Sequence, residues 1–363
     1  MSDTVLVLRS EETRGLVTMS EAVRLMEEAY ADLGHKRAQA INREWLRVPL
    51  GGTEAGSQFV LNIIPGAVPC HNVAATRLSA RHMSFPLPGG EPHKASPAGY
   101  TGMVLVWELS SKKLLGIVHD DALSPLRVGA TSALAAKYLC RADVKVAGLI
   151  GAGKQAVGQI TGLLTIRPGI EEVKVHSVHE ERRRRFAGWV EQTFEVKAKA
   201  VDSAEKCVRG SDVVFTATSS ADPVIKGEWL EQGVHLCGMI GTPRFDRRRE
   251  LDDEVGRRAD VVVVNSISQL KHDSQAEILN PIRKGYLTWD RVAELADLCI
   301  GKVLGRMGSR QITWHSNNSG MGIQFATLCK RIIEVARDRG IGSSLPGEYF
   351  MGQGLSGEDR FRL

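Results

Sequence analysis

Gly151-Ala152-Gly153-Lys154-Gln155-Ala156 has the composition and spacing that bring a main chain against a pyrophosphate. Gly151 can turn where other residues cannot, Gly153 leaves the backbone bare to phosphate, and small Ala156 lets a helix lie close on the preceding strand. The free N–H groups at the helix start add partial positive charge. A second place for an anion is Arg127, which opens the small-residue helical run Leu126 to Leu139. A cation there runs against the helix dipole, so its charge answers either to a bound anion or to water. The six cysteines, Cys70, Cys140, Cys207, Cys237, Cys299 and Cys329, form no C-x-x-C pair and have no histidine at metal spacing. No metal is expected, and most of them read as reduced, buried small hydrophobes.

These residues need elements to hold them. The apolar run Val144 to Ile150 reads as a strand, and Val157, Ile160, Leu163 and Leu164 recur behind the glycines at helical spacing. Further strands are expected at Val173–Val178, Asp212–Thr218, His235–Gly241 and Asp260–Asn265. A lone glycine fingerprint also fits an ordinary strand-to-helix turn. Inside this alternation it predicts a Rossmann-type α/β fold, a doubly wound parallel sheet that binds a dinucleotide.

The N-terminal part differs in kind. A helix is expected over Ser20 to Gly34, with Ser20 as N-cap and Gly34 as stop. Strands at 45–48, 58–64, 73–79, 103–108 and 114–118 follow without a helical pattern between them, which predicts an antiparallel or mixed sheet in a second, α+β domain. The Pro/Gly-rich stretch between Arg81 and Gly102 reads as a long loop that either covers a substrate or makes a surface excursion. Past Trp314, His315 to Gly322 read as a polar loop, Ile323 to Arg339 as a helix stopped by Gly340, and residues beyond Leu345 as a weakly ordered tail.

At 363 residues the chain exceeds one ordinary core, so two domains are expected. With 43% hydrophobic and 25% charged residues it has a soluble globular composition, and no apolar run suits a signal peptide or a membrane span. A cytoplasmic protein without membrane association is expected. The net charge is +5, with arginine runs at 182–185, 247–249 and 257–258. These lack interleaved stacking aromatics and read as solvated faces, so no nucleic-acid partner is expected.

Leu126-Arg127-Val128-Gly129-Ala130-Thr131-Ser132-Ala133-Leu134-Ala135, then Ile150-Gly151-Ala152-Gly153-Lys154-Gln155-Ala156, Thr216-Ala217-Thr218-Ser219-Ser220 and Arg249-Glu250-Leu251-Asp252 together resemble the ornithine cyclodeaminase/mu-crystallin family. The resemblance runs over nearly the whole chain. It implies a Rossmann domain at 136–319, and a discontinuous substrate-binding and dimerisation domain at 1–135 and 320–350, with 351–363 as a tail. It implies a homodimer, an NAD or NADP cofactor, and a small amino or imino acid held by its carboxylate between the domains. Carried over by position, Arg43, Arg77 and Arg127 bind that carboxylate, with Arg77 and Arg127 as the catalytic pair. Gly151, Ala152, Gly153, Lys154, Gln155, Ser177, His179, Arg182, Thr218, Ser219, Met239 and Gly241 take the cofactor.

Two departures bear on function. Arg77 stands where the family usually has lysine, and a guanidinium anchors an anion rather than moving a proton. Cyclodeaminases also carry an aspartate just after the strand ending at Gly241; this chain reads Gly241-Thr242-Pro243-Arg244-Phe245-Asp246, with Asp246 shifted. Ser177, near His179 and Arg182, replaces the acid that NAD-preferring members set against the ribose, which favours NADP unless Arg182 simply faces water. The expected activity is hydride transfer at the α-carbon of an amino or imino acid, as an imino-acid or ketimine reductase or an amino-acid dehydrogenase. The alternatives are ornithine cyclodeaminase chemistry and a non-catalytic, mu-crystallin-like NADP-binding protein.

Overall fold

The computed structural model describes residues 4–50, 57–84, 101–241 and 248–351. In chain order come β1 (Thr4–Leu8), α1 (Met19–Gly34), β2 (Gln39–Ala40), β3 (Glu44–Pro49), β4 (Ser57–Val68), β5 (Val73–Ser84), β6 (Thr101–Glu108), β7 (Leu114–His119) and α2 (Leu123–Leu139). The middle contributes β8 (Val146–Ile150), α3 (Lys154–Ile166), β9 (Glu172–His176), α4 (Glu180–Phe194), β10 (Lys197–Ala200), α5 (Ala204–Val208), β11 (Val213–Thr216) and β12 (His235–Gly238). Then follow α6 (Asp253–Arg258), β13 (Val261–Val264), α7 (Ile267–His272), α8 (Ala276–Arg283), β14 (Val292–Glu294), α9 (Leu295–Cys299), β15 (Thr313–Ser316), α10 (Gly322–Asp338) and β16 (Ser343–Pro346).

Two eight-stranded sheets result. The first runs β16-β1-β7-β6-β5-β4-β2, with β3 also paired to β4. Among the described residues only β1 and β7 pair in parallel, so the sheet is mixed. Its strands alternate, and Ile64, Val104, Val106 and Val118 bury one face against α1, α2 and α10 through Met26, Leu134, Phe325 and Ile332. The second sheet, β10-β9-β8-β11-β12-β15-β13-β14, is wholly parallel and has apolar cores on both faces. Burial on both faces is why its strands read as continuous apolar runs.

Helices α2 and α3 lock the two halves together. A Cβ on Gly129 would lie 2.0 Å from the Gly158 carbonyl oxygen, and one on Gly158 would lie 2.0 Å from that of Pro125. The backbones therefore touch, and the helix bearing Arg127 is held rigidly against the helix behind the glycine turn.

Several sequence-based expectations are corrected. Thr18, not Ser20, caps α1: its backbone is extended and its hydroxyl accepts from the Glu21 N–H at 3.2 Å, while Ser20 is already helical. Gly34 is no stop either. It belongs to α1, where a Cβ would meet the Ala296 carbonyl oxygen at 2.6 Å, and Lys36 takes the left-handed conformation. Arg127 lies in the second turn of α2 rather than opening it. His315 and Ser316, read as loop, end β15, a fully buried central strand. The chain past Leu345 is no tail up to Phe350: β16 closes on β1 and a short 3₁₀ turn follows. Strand β5 continues to Ser84, into the expected loop, and residues 85–100 of that stretch lie outside the described part.

Candidate active site

At the C-terminal ends of β8, β9 and β11 lies a cleft of about 480 Å³ lined by Gly151, Ala152, Gly153, Ser177, His179, Arg182, Thr218 and Ser219. Gly151 has φ +117° and its Cβ would sit 2.3 Å from the Ala217 carbonyl oxygen, so no side chain fits. Gly153 faces open space, with nothing within 4 Å of a would-be Cβ. A bare main chain at the start of α3, with a forced turn before it, fits a dinucleotide pyrophosphate. At the far end Ser177 follows β9, its carbonyl accepting from Arg183 Nη1 at 3.2 Å, and no acid is among the described residues that line the cleft. Arg183 escaped sequence reasoning because it sits inside an arginine run. Of the other residues expected to hold cofactor, Lys154 is paired with Asp121, and Gln155 gives its amide to Ser124 Oγ at 2.8 Å. Gln155, Met239 and Gly241 line a second cavity instead.

That second cavity, about 260 Å³, brings together Arg43, Arg77 and Arg127, from β3's leading edge, β5 and α2. It meets the first cleft at Thr218, which lines both. Arg43 gives Nε to Asp273 Oδ2 at 2.9 Å and Nη2 to the Gly241 carbonyl. Arg77 gives Nε to Asp120 Oδ2 at 2.5 Å and Nη1 to Asn62 Oδ1 at 2.9 Å. Both are thus aimed by buried carboxylates. Arg127 is different. Its hydrogen bond is to a neutral group, Nη1 to Gln324 Oε1 at 3.2 Å, and its buried Nε has no partner among the described residues. Burial, and then the nearby charge of Arg77, push its pKa down to about 10. A guanidinium keeps its proton at neutral pH even so, and a desolvated cation with no direct ion pair among the described residues, Asp120 acting on it only through space, is what an incoming carboxylate relieves.

Sequence reasoning missed the side chains that hold this arrangement. Gln324 is fixed by Tyr30 Oη at 2.8 Å, Thr131 Oγ1 at 3.2 Å and the Met321 N–H at 3.2 Å. Gln275 donates to Asp273 and to the Asn318 carbonyl, and Asn318 in turn binds Asn265 and Ser266. Asn317 joins Asn265 to α2 through Ser132 and the Val128 carbonyl. Glu250, seen only as part of a motif, accepts from Thr218 N–H at 2.6 Å, Thr216 Oγ1 at 2.5 Å and Met239 N–H at 3.2 Å, tying the ends of β11 and β12. Burial raises its pKa, and burial together with Glu250 lifts that of Glu277 to about 8, so Glu277 holds a proton at neutral pH. Most of these partners are tens to hundreds of residues apart, and the one available signal was the polar residues in β15 and its continuation. Asp246 and the rest of 242–247 lie outside the described residues.

A dinucleotide cleft opening onto an arginine-walled pocket defines the class: a nicotinamide-dependent oxidoreductase of small carboxylate-bearing molecules. The chain belongs to the ornithine cyclodeaminase/mu-crystallin family, whose model matches residues 7–340. Alanine dehydrogenase of Archaeoglobus fulgidus is 29% identical over 342 residues, 94% of this chain and 98% of that one. Among solved structures, the Thermococcus litoralis Delta(1)-pyrroline-2-carboxylate reductase in complex with NADH and L-proline has a TM-score of 0.81 at 26% identity, covering 94% of this chain and all of that one. An archaeal alanine dehydrogenase dimer with bound NAD has a TM-score of 0.79 at 28% identity, over 94% of this chain and 99% of the other.

Proposed function

We propose that the chain is an NAD(P)-dependent reductase of α-imino acids, which in reverse dehydrogenates the corresponding amino acid. The observation that carries this reading is the junction at Thr218, where the dinucleotide cleft runs into the arginine cavity. The reduced nicotinamide, when bound, supplies a hydride to the imino carbon, and the C=N π pair passes to nitrogen. The chain's own part is positioning. Arg127 and Arg77 take the carboxylate, with Arg43 beside them, and fix the α-carbon against the ring's end of the cleft. Gln324 and Asp120 aim the two guanidiniums. No acid, lysine or histidine is among the described lining residues of the cavity, so the proton on nitrogen arrives with the substrate as an iminium.

The cofactor favoured is NADP. Ser177, His179 and Arg182 line the ribose end, and no acid that would repel a 2′-phosphate is among the described lining residues. Residues 1–135 and 320–350 are proposed as the substrate-binding domain and 136–319 as the Rossmann domain, supported by a core built mainly from 6–139 and 321–336, to which Val263, Leu295, Ala296 and Leu298 also contribute. A homodimer across the mixed sheet is proposed as well. The face of that sheet turned from its core carries Leu46, Phe59, Leu61, Ile63, Leu78 and Leu105, and the archaeal alanine dehydrogenase relative is a dimer.

The test is a panel of cyclic imino acids, and of 2-oxo acids with ammonium, assayed with NADPH and with NADH. The expected result is nicotinamide oxidation with at least one of them, faster with NADPH. No oxidation across the panel, with a dinucleotide still bound by calorimetry, would contradict the reading.

A further inference from the structure

The arginine cavity has two poles, not one. The guanidinium carbons of Arg77 and Arg127 lie 5.9 and 5.1 Å from the ring centre of Phe325. Those of Arg43 and Arg81 lie 5.6 and 5.5 Å from the ring centre of Trp45. Sheet geometry sets the separation. Arg77 and Arg81 share a face of β5 four residues apart, about 13 Å along a strand rising ~3.3 Å per residue. Trp45, paired with Asn62 and through it with Ser79, occupies the rung between them. All four arginines line the same cavity, and Arg248 joins them.

One carboxylate, its two oxygens a little over 2 Å apart, engages one pole. We propose that the substrate carries two carboxylates: an α-imino dicarboxylic acid whose α-carboxylate sits on Arg127 and Arg77 while its distal carboxylate is read by Arg81 beside Trp45. This rests on the imino-acid reductase reading above. Arg81 makes other contacts, as Arg43 and Arg77 do with Asp273 and Asp120. A guanidinium has five N–H donors, so such contacts leave edges for a substrate oxygen. An apolar substrate tail would instead leave the Trp45 pole desolvated against methyl groups, and a cationic tail would meet Arg81 and Arg248 as like charges. The reaction is the one already described: hydride to the imino carbon, the π pair to nitrogen, and the nicotinamide oxidised by two electrons. The distal carboxylate takes no part in it.

The experiment compares kcat/KM, with the better nicotinamide cofactor, for pyruvate, 2-oxobutanoate, 2-oxobutanedioate and 2-oxopentanedioate, each with ammonium, and for a cyclic imino acid with a single carboxylate. The expected result is a preference of roughly tenfold or more for a dicarboxylic acid. Arg81→Leu shrinks that ratio about tenfold through KM, and Arg81→Lys restores part of it. If Arg81→Leu does not fold, the wild-type ratio and Arg81→Lys decide. A wild type that turns over the monocarboxylic acids equally well or better overturns the second carboxylate while leaving the reductase reading standing. No turnover of any acid overturns the reading beneath it.

Discussion

The dinucleotide cleft and the arginine cavity adjoin at one threonine but are built by opposite means. The cleft is made of main chain: a glycine that must turn, a glycine that must be bare, and a helix start, all within six residues. The cavity is made of charged side chains from β5, α2 and the edge of β3, each aimed by a partner distant in the chain. Backbone shape tolerates change around it, whereas an arrangement of charges depends on every member. Substitutions in the cavity should therefore alter catalysis without touching dinucleotide affinity, and the reverse should hold in the cleft.

Arg127→Ala should break this division most visibly. Removing the desolvated cation is expected to cost about 2–5 kcal/mol of transition-state binding, a loss of roughly thirtyfold to several thousandfold in kcat/KM. Dinucleotide affinity by calorimetry should stay within about twofold of wild type. Gln324→Glu sharpens the same point with the shape kept. A carboxylate in place of the neutral amide would neutralise Arg127, so KM should rise roughly tenfold while the melting temperature holds or rises. A parallel fall in stability would mean that the amide's donated bonds to Tyr30 and Thr131 outweigh any pairing with Arg127.

In the cleft, Ser177→Asp puts a negative charge where the 2′-phosphate is expected. The NADPH-to-NADH ratio of kcat/KM should fall roughly tenfold, with the substrate KM unmoved. An unchanged ratio would put the phosphate elsewhere. The smallest effect is expected from Glu277→Gln. Burial raises the folded-state pKa of Glu277 to about 8, above its unfolded value. The native state then binds the extra proton, and stability falls as pH rises from the ordinary carboxylate range towards about 8. The amide cannot ionise, so the variant's melting temperature should decline less over that window. An equally steep decline would locate the titration elsewhere.

The same contrast explains what the sequence made legible. Gly151, Gly153 and the apolar strands around them are contiguous and answer to backbone sterics and burial, so the parallel sheet and the cleft could be read directly. Arg127 could be singled out because a cation early in a small-residue helix is locally unfavourable. Arg43 and Arg77 needed the family resemblance, since an arginine on a strand looks the same whether it faces water or a cavity. Gln324, Asn317 and Glu250 gave no local sign, because their meaning lies in contacts such as those to Arg127, Ser132 and Thr218, 197, 185 and 32 residues away. The polar run after Trp314 was read as a loop from its first residue for the same reason: His315 and Asn317 are buried, and satisfied by tertiary partners.

The central claim is that hydride passes between the nicotinamide in the cleft and an α-carbon pinned in the arginine cavity. It is tested most directly with nicotinamide deuterated at C4 on the transferring face, an α-imino acid substrate, and NMR of the product. One deuterium at the α-carbon of the amino acid is the predicted result. An amino acid product without deuterium at that carbon would contradict it.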